Sequence, residues 1–237
     1  MLFIGRESEK KKIVESLNDG KNIILGGKFG IGRSSLIKEI AKILAKERKF
    51  IFVDFSQTPG KMSDKLMKEL GLSIILKNKD KMRYKSMRYR IANAKSAKKQ
   101  NPVIVFDNIA KITTQKTIFL RHLILEQNYQ FIAIVENFLP QDNLFELKAQ
   151  FIPAVTLILR HLKKDDIENI LHVYAEQYHF NWTDNHIHNL SALSDGYPLG
   201  LVEMLRKRRN PQTHMEEMTE VRPNWTLSVK SSIGRDT

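Results

Sequence analysis

A glycine-rich segment of this chain has the composition of a phosphate-binding loop. The letters GGKFGIGRSS occupy residues 26–35, between an apolar run and a helix-like stretch. Backbone N–H groups in such a loop turn inward, and the positive end of the following helix dipole faces the same point. We therefore expect nucleotide contacts from Gly27, Lys28, Phe29, Gly30, Ile31, Gly32, Arg33, Ser34 and Ser35. The competing interpretation is an ordinary glycine-rich turn from strand to helix.

Position 33 departs from the usual pattern of this loop. The pattern G-x-x-x-x-G-K-[ST] has lysine where this chain has Arg33. A guanidinium keeps the positive charge, but it is a wider, planar group than an ammonium on a flexible stem. We expect Arg33 to pair with phosphate and to follow a transferring phosphoryl group less well. The substitution predicts nucleotide binding with weak or absent hydrolysis.

A second apolar run ends in an acid, within the segment NPVIVFDNIAKI at residues 101–112. Asp107 could hold Mg²⁺ together with the hydroxyl of Ser34, so both are candidate metal ligands. Many hydrolysing enzymes with a phosphate-binding loop carry glutamate directly after this acid, whereas this chain carries Asn108. An amide can position water but cannot accept its proton. Asp107 and Asn108 are candidate catalytic residues, and the alternative for Asp107 is an acid that caps the next turn.

The apolar run QFIAIV at residues 130–135 is followed by Glu136 and Asn137. Ligands of open parallel sheets gather at the carboxyl ends of the strands. Asn137 could contact a γ-phosphate or the attacking water, and Glu136 could supply the missing base. The competing interpretation places both side chains in a solvent-facing turn.

Apolar runs alternate with amphipathic segments, a pattern that predicts an α/β fold with strands buried in a parallel sheet. The predicted strands are 22–26, 50–55, 102–107, 130–135 and 154–159, and the predicted helices are 7–18, 34–47, 62–71, 80–99, 114–127 and 141–150. Three further helices follow residue 160 with no strand between them. The pattern predicts an α/β domain at 1–160, a helical domain at 161–209, and a loose or partner-binding tail at 210–237.

The chain carries a formal net charge of +13, which favours partners that contain phosphate. Much of this charge lies in residues 77–99, where ten side chains are Lys or Arg and one is Asp. At helical spacing one stripe contains Lys81, Lys85, Arg88, Lys95 and Lys99, beside an apolar strip of Tyr84, Met87, Ile91 and Ala94. The stripe predicts contact with a nucleic-acid backbone. The alternative is a solubilising surface.

The chain resembles the nucleotide-binding core of the AAA+ and STAND superfamily over residues 3–209. The segments that carry the resemblance are FIGRESEKKKIVESL, GGKFGIGRSS, IVFDN, IVEN and SDGYPLGL. It is similar above all to origin-recognition proteins, transposition regulators and archaeal STAND-type ATPases. The resemblance implies a five-stranded parallel P-loop sheet flanked by helices, a small all-α lid, and ATP or ADP bound with Mg²⁺.

The resemblance also implies roles for particular residues. Ile4, Gly5 and Arg6 would lie beside the adenine base, and Asn137 would be a sensor of the bound phosphate. Pro198 of the GYPLGL segment would pack near the base, whereas Leu199 stands where some relatives have an arginine. Related proteins form oligomers in which an arginine of one subunit completes the neighbouring site. Arg121 and Arg160 are the candidates for it.

These features favour an oligomeric, ATP-binding switch protein that acts on DNA, of the transposition-regulator or initiator type. Two alternatives stay open. One is a competent ATPase that remodels or loads protein partners, and the other is a degenerate scaffold without nucleotide. A protein partner could bind the tail at 210–237.

Several classes of protein are disfavoured by composition. The chain contains no cysteine, so disulfides and thiol chemistry are excluded. The segment MLFIGRESEKKK resembles neither a secretory leader nor a membrane anchor, and no apolar run approaches the roughly 18 residues that cross a bilayer. We expect no membrane partner and a cytoplasmic location. The spacing of the histidines does not predict a metal site.

Overall fold

The computed structural model describes residues 4–72, 84–94 and 101–209. The chain divides into two compact units, residues 1–199 and 200–237. The first unit contains a five-stranded parallel sheet with the order β2-β3-β4-β1-β5. The described part of the second unit, residues 200–209, is helical.

The strands lie where the apolar runs predict them. They are β1 (Asn22–Gly27), β2 (Phe50–Asp54), β3 (Val103–Ile109), β4 (Gln130–Val135) and β5 (Ala154–Leu159). Every residue of β4 is buried, as expected for a strand covered on both faces. The expected α/β fold with a five-stranded parallel sheet is therefore confirmed.

The helices also follow the predicted order. They are α1 (Glu7–Asn18), α2 (Arg33–Ile43), α3 (Pro59–Glu69), α4 (Tyr84–Ala92), α5 (Thr114–Leu125), α6 (Gln141–Gln150), α7 (Lys164–Gln177), α8 (Asp184–Ser194) and α9 (Pro198–Arg209). Threonine hydroxyls cap three of them, because Thr58, Thr113 and Thr183 accept hydrogen bonds from the amides at the third helical position. Helix α2 ends four residues earlier than predicted because residues 44–47 form a turn.

The sheet separates two hydrophobic layers. On one face the side chains of α1 and α2 pack against Ile23 and Leu25 of β1. On the other face α3, α4, α5 and α6 pack against Ile24 of β1 and Phe106 of β3. The ring of Phe106 stacks on that of Phe131 at 6.1 Å between centroids. The sheet is thus a rigid support, and its loops project from defined positions.

Among the described helices, none is long and apolar enough to cross a membrane.

Candidate functional site

The carboxyl ends of β1 and β4 form the centre of the site. These strands are neighbours in the sheet, and Leu25 is paired with Ile134. The chain leaves β1 for a helix on one face and leaves β4 for a helix on the other. Adjacent strands with diverging connections open a crevice, which is where open α/β sheets bind ligands.

The loop after β1 depends on glycines with positive φ. Gly27, Gly30 and Gly32 have φ of 146°, 74° and 93°, values that side chains with a Cβ rarely adopt. A Cβ at Gly30 would lie 2.6 Å from the Tyr197 hydroxyl and 2.8 Å from Leu199. A Cβ at Gly32 would meet nothing within 4 Å. The loop is therefore crowded on the side of Tyr197 and Leu199 and open at Gly32.

Ser34 and Asp107 form a pair of oxygen ligands at the start of α2. The hydroxyl of Ser34 donates to Oδ1 of Asp107 over 3.0 Å. Hydroxyl and carboxylate oxygens are the ligands that Mg²⁺ prefers. Because both side chains are only half-buried, one hydrated cation can reach both. The residues present therefore fit a magnesium ion beside the glycine loop.

Asn108 has a backbone role that its sequence context did not reveal. Its φ is 62°, in the left-handed region that asparagine tolerates better than most residues. The register of β3 against β4 shifts between Phe106 and Ile109, so the residue lies in a bulge. Its side chain donates to Asp54 Oδ1 over 3.2 Å. Asn108 thus joins the end of β3 to the end of β2.

Asp54 and Lys116 belong to the same polar cluster and were missed by the sequence analysis. Burial alone would raise the pKa of Asp54, but hydrogen bonds from Ser56, Asn108 and Gln57 lower it from its ordinary value. Lys116 donates to the carbonyl of Phe55 over 2.5 Å. Burial lowers the pKa of Lys116, against the attraction of Asp54. The sequence signal available for Asp54 was its position as the acid that ends the apolar run FIFVD.

Arg33, the cation of the glycine loop, is held by the end of β4. Its Nη2 lies 2.6 Å from Oε2 of Glu136, and its Nη1 donates to the carbonyl of Val135. The side chains of Arg33 and Glu136 are only 6% and 13% exposed. Glu136, which we expected to act as a base, is therefore the partner of Arg33 in this conformation. Asn137, which follows it, is exposed.

The segment before α1 supports the glycine loop through the hydrogen bonds of Arg6. Arg6 is 5% exposed, and its Nη2 donates to the carbonyls of Ile31 at 2.9 Å and Arg160 at 3.0 Å. Burial lowers the pKa of Arg6, while Glu9 opposes that shift. Gly5 has φ of 84°, and a Cβ there would lie 2.9 Å from Asp166. Arg6 thus fixes the loop, and Gly5 allows the chain to pass close to Asp166 of α7.

The other expected nucleotide contacts surround the same loop. Ile4 and Pro198 are half-buried, Ile31 is buried, and Lys28, Phe29 and Ser35 are exposed. Pro198 is the first residue of α9. The Tyr197 hydroxyl donates to the carbonyl of Phe29. This bond joins the turn before α9 to the glycine loop, and sequence reasoning did not predict it.

A cavity of about 610 Å³ lies beside the loop, at the ends of β1, β4 and β5. Its lining includes Lys28, Glu136, Asn137 and Arg160, together with apolar side chains such as Leu144. Ser34 and Asp107 are outside this lining. The volume is within the range of small-molecule sites, and the lining combines an apolar wall with a few polar groups.

The basic stripe lies only partly within the described residues. The single helix predicted at 80–99 is wrong, because α4 ends at Ala92 and residues 93 and 94 are not helical. Lys85 of α4 is exposed, and Arg88 is half-buried with its guanidinium 5.1 Å from the centre of the Tyr84 ring. Lys81, Lys95 and Lys99 lie outside the described residues, as does the tail at 210–237. Tyr84, Met87 and Ile91 pack on the hydrophobic core as predicted. Arg121, a candidate for the trans-acting arginine, is exposed on α5, and Arg160 is exposed after β5.

Within the described ranges, no group of three or more His, Cys, Asp or Glu could hold a metal ion. A cation at Ser34 and Asp107 would need its remaining ligands from water and phosphate, as Mg²⁺ usually does.

No protein-family model matches the sequence, and no curated protein matches it. Solved structures do match. The Orc1 protein of Aeropyrum pernix, in complex with DNA, is 15% identical with a TM-score of 0.69, over 90% of this chain and 62% of that one. A Walker-type ATPase of Pyrococcus abyssi is 18% identical with a TM-score of 0.58, over 92% and 72%. The RuvB Holliday junction branch migration motor of Thermotoga maritima is 17% identical with a TM-score of 0.60, over 90% and 65%.

This chain thus spans less than two thirds of the Orc1 and RuvB chains. At these identities the likeness concerns the fold. The fold shared with each of these three structures extends over at least 90% of this chain.

Proposed function

We propose that this chain, which has the AAA+ P-loop fold, binds ATP or ADP with Mg²⁺ at the loop after β1. The bound nucleotide would act as a switch in an oligomer that works on DNA, and hydrolysis would be weak or absent. The observation that carries the proposal is the 3.0 Å contact of Ser34 and Asp107 beside the glycine loop. It brings the two candidate magnesium ligands together at the start of the helix that would face the phosphates.

Each part of the site has a task in this proposal. The loop amides and Lys28 bind the phosphates, while Ser34 and Asp107 hold the ion. Mg²⁺ would neutralise part of the phosphate charge. Arg6 keeps the loop in place through the carbonyl of Ile31. Tyr197, in the turn before α9, would sense the ligand because its hydroxyl donates a hydrogen bond to the carbonyl of Phe29.

Weak or absent hydrolysis is supported by the two positions from which a catalytic base could act on water. Asn108 cannot accept a proton from water, and the carboxylate of Glu136 is neutralised by Arg33 at 2.6 Å. A competent ATPase would need another base or a rearrangement of this pair. Steady-state phosphate release distinguishes a switch with weak or absent hydrolysis from a competent ATPase, because a remodelling ATPase should show a rate that vanishes in Asp107→Ala.

Action on DNA is supported by the net charge of +13 and by the exposed Lys85 of α4. Two of the structures with the same fold are described as a DNA complex and a Holliday junction motor. Duplex DNA should therefore bind this chain, and ATP should change its affinity. Sedimentation with and without Mg-ATP tests whether nucleotide also favours self-association.

The decisive experiment is equilibrium binding of a fluorescent ATP analogue in the presence of Mg²⁺. We expect micromolar affinity that falls in Asp107→Ala and is retained in Asp64→Ala, which removes an exposed carboxylate of α3. No binding by the unmodified chain would remove the proposed function and leave the degenerate scaffold.

A further inference from the structure

The loop that should bind a polyphosphate has its central cation neutralised by the protein itself. Arg33 and Glu136 are both largely buried, and they are joined at 2.6 Å. The carbonyl of Val135 accepts a further hydrogen bond from Arg33. Because both charges are largely removed from water, the pair is a net neutral unit between α2 and β4.

Two other cations beside the loop, Arg6 and Lys28, do not replace Arg33 in the same way. Arg6 donates to Glu9, Ile31 and Arg160 and is committed to the loop backbone. Lys28 is exposed and, within the part of the chain that the structure describes, forms no ion pair. An exposed ammonium is strongly hydrated and contributes less to phosphate binding than a desolvated guanidinium fork. The strongest phosphate ligand of the loop is therefore the one that Glu136 holds.

A phosphate that approaches this pair meets opposing effects. The guanidinium attracts it, whereas the Glu136 carboxylate repels it and competes for the same donors. A ligand gains the full interaction only in the fraction of molecules in which Arg33 has left Glu136. Its apparent dissociation constant is the intrinsic constant divided by that fraction, so binding weakens as the fraction falls.

We propose that Glu136 is a positioning residue that lowers nucleotide affinity by withholding Arg33 from the phosphates. This inference rests on the proposed function and concerns the regulation of the same site. Binding of a nucleotide polyphosphate draws the guanidinium away from β4 and leaves the Glu136 carboxylate without its partner. The ion pair of Arg33 and Glu136 thus selects for highly charged ligands, which alone compete with the carboxylate for the guanidinium.

The test is a double-mutant cycle on the full chain, with Mg-ATP as the probe and isothermal titration as the readout. Glu136→Gln keeps an oxygen acceptor for Arg33 but removes the charge. If Arg33 is held in about nine molecules of ten, this variant should bind Mg-ATP about tenfold more tightly. In an Arg33→Met background the same substitution should have a much smaller effect, because only the direct repulsion of the phosphates by the carboxylate is then removed. Glu126→Gln, at the exposed end of α5, is the control for the loss of one negative charge.

Glu136→Asp provides a second variant if the glutamine form does not fold. It keeps the charge but shortens the side chain, so it should also tighten binding. Affinity in Glu136→Gln that equals or falls below that of the unmodified chain would overturn the inference and leave nucleotide binding intact. Tightening of the same size without Arg33 would overturn it as well. Absence of binding in every variant would instead remove the proposed function, and the inference with it.

Discussion

The hydroxyl of Ser34 donates a hydrogen bond to Asp107 Oδ1 at 3.0 Å, although 73 positions separate the two residues in the chain. Ser34 lies in the first turn of α2, and Asp107 lies near the end of β3. In the sheet β4 separates β1 from β3, so the contact crosses the end of a neighbouring strand. It connects the two motifs that the sequence analysis identified separately.

Replacement of the Ser34 hydroxyl should remove the magnesium dependence of nucleotide binding. In Ser34→Ala we expect Mg-ATP to bind about tenfold more weakly, which corresponds to about 1.4 kcal/mol. Binding of ATP in EDTA should stay the same, because the loop amides are unchanged. Titration with and without Mg²⁺ measures the difference.

The adjacent serine provides a matched control for this experiment. Ser35→Ala removes an equivalent hydroxyl from an exposed position of α2. Because Ser35 is itself an expected nucleotide contact, the comparison is the ratio of affinities with and without Mg²⁺, which this variant should leave unchanged. Equal losses in both variants would show that the Ser34 hydroxyl has no special relation to the ion.

The backbone at Asn108 should tolerate few residues. Its φ of 62° lies in the left-handed region, where a β-branched side chain is strained by about 1–2 kcal/mol. We expect Asn108→Val to lower the free energy of unfolding by about this amount and Asn108→Gly to change it little. Urea unfolding of the variants measures this cost. A valine variant as stable as the glycine variant would contradict the interpretation.

The conformation of Asn108 also explains part of what the sequence could not predict. From the motif alone, the residue is an amide in the place of a catalytic glutamate. The structure adds a bulge in β3 and a bond to Asp54 at 3.2 Å. A register shift depends on the partner strand, so a pattern read along one strand does not contain it.

Elements with a clear apolar pattern were predictable, and long-range polar contacts were not. Continuous apolar runs indicated all five strands. Burial on both faces explains these runs for β1, β3 and β4, whereas β2 and β5 are apolar although several of their residues are exposed or half-buried. The charge of Arg33 suggested phosphate as its partner. Its actual partner, Glu136, is a residue that we had interpreted separately, and only the pairing of β1 with β4 brings them together.

Gly30 should be less replaceable than Gly20, although both have φ of 74°. An added Cβ at Gly20 meets nothing within 4 Å, whereas at Gly30 it meets the Tyr197 hydroxyl and Leu199. Gly20→Ala should therefore cost only the backbone strain of about 1–2 kcal/mol. Gly30→Ala should cost more and also weaken the bond from Tyr197 to Phe29. Thermal unfolding compares the total cost.

Limited proteolysis separates the local effect at Gly30 from the global one. Gly30→Ala and Tyr197→Phe should both speed proteolytic cleavage within the segment that follows residue 160, because each disturbs the hydrogen bond between Tyr197 and the loop. Gly20→Ala should leave the cleavage rate unchanged. Identical behaviour of the two alanine variants would contradict the crowding at Gly30.

The basic stripe of Lys81, Lys85, Arg88, Lys95 and Lys99 should make DNA binding depend on salt. If five phosphates are neutralised, the logarithm of affinity should fall with the logarithm of salt concentration at a slope of about −4 to −5. Fluorescence anisotropy with a labelled duplex measures this slope. Lys85→Gln should reduce its magnitude by about 1, because one contact with phosphate is lost. Lys38→Gln removes an exposed charge from α2 and should leave the slope unchanged, whereas a salt-independent affinity would exclude contact with the DNA backbone.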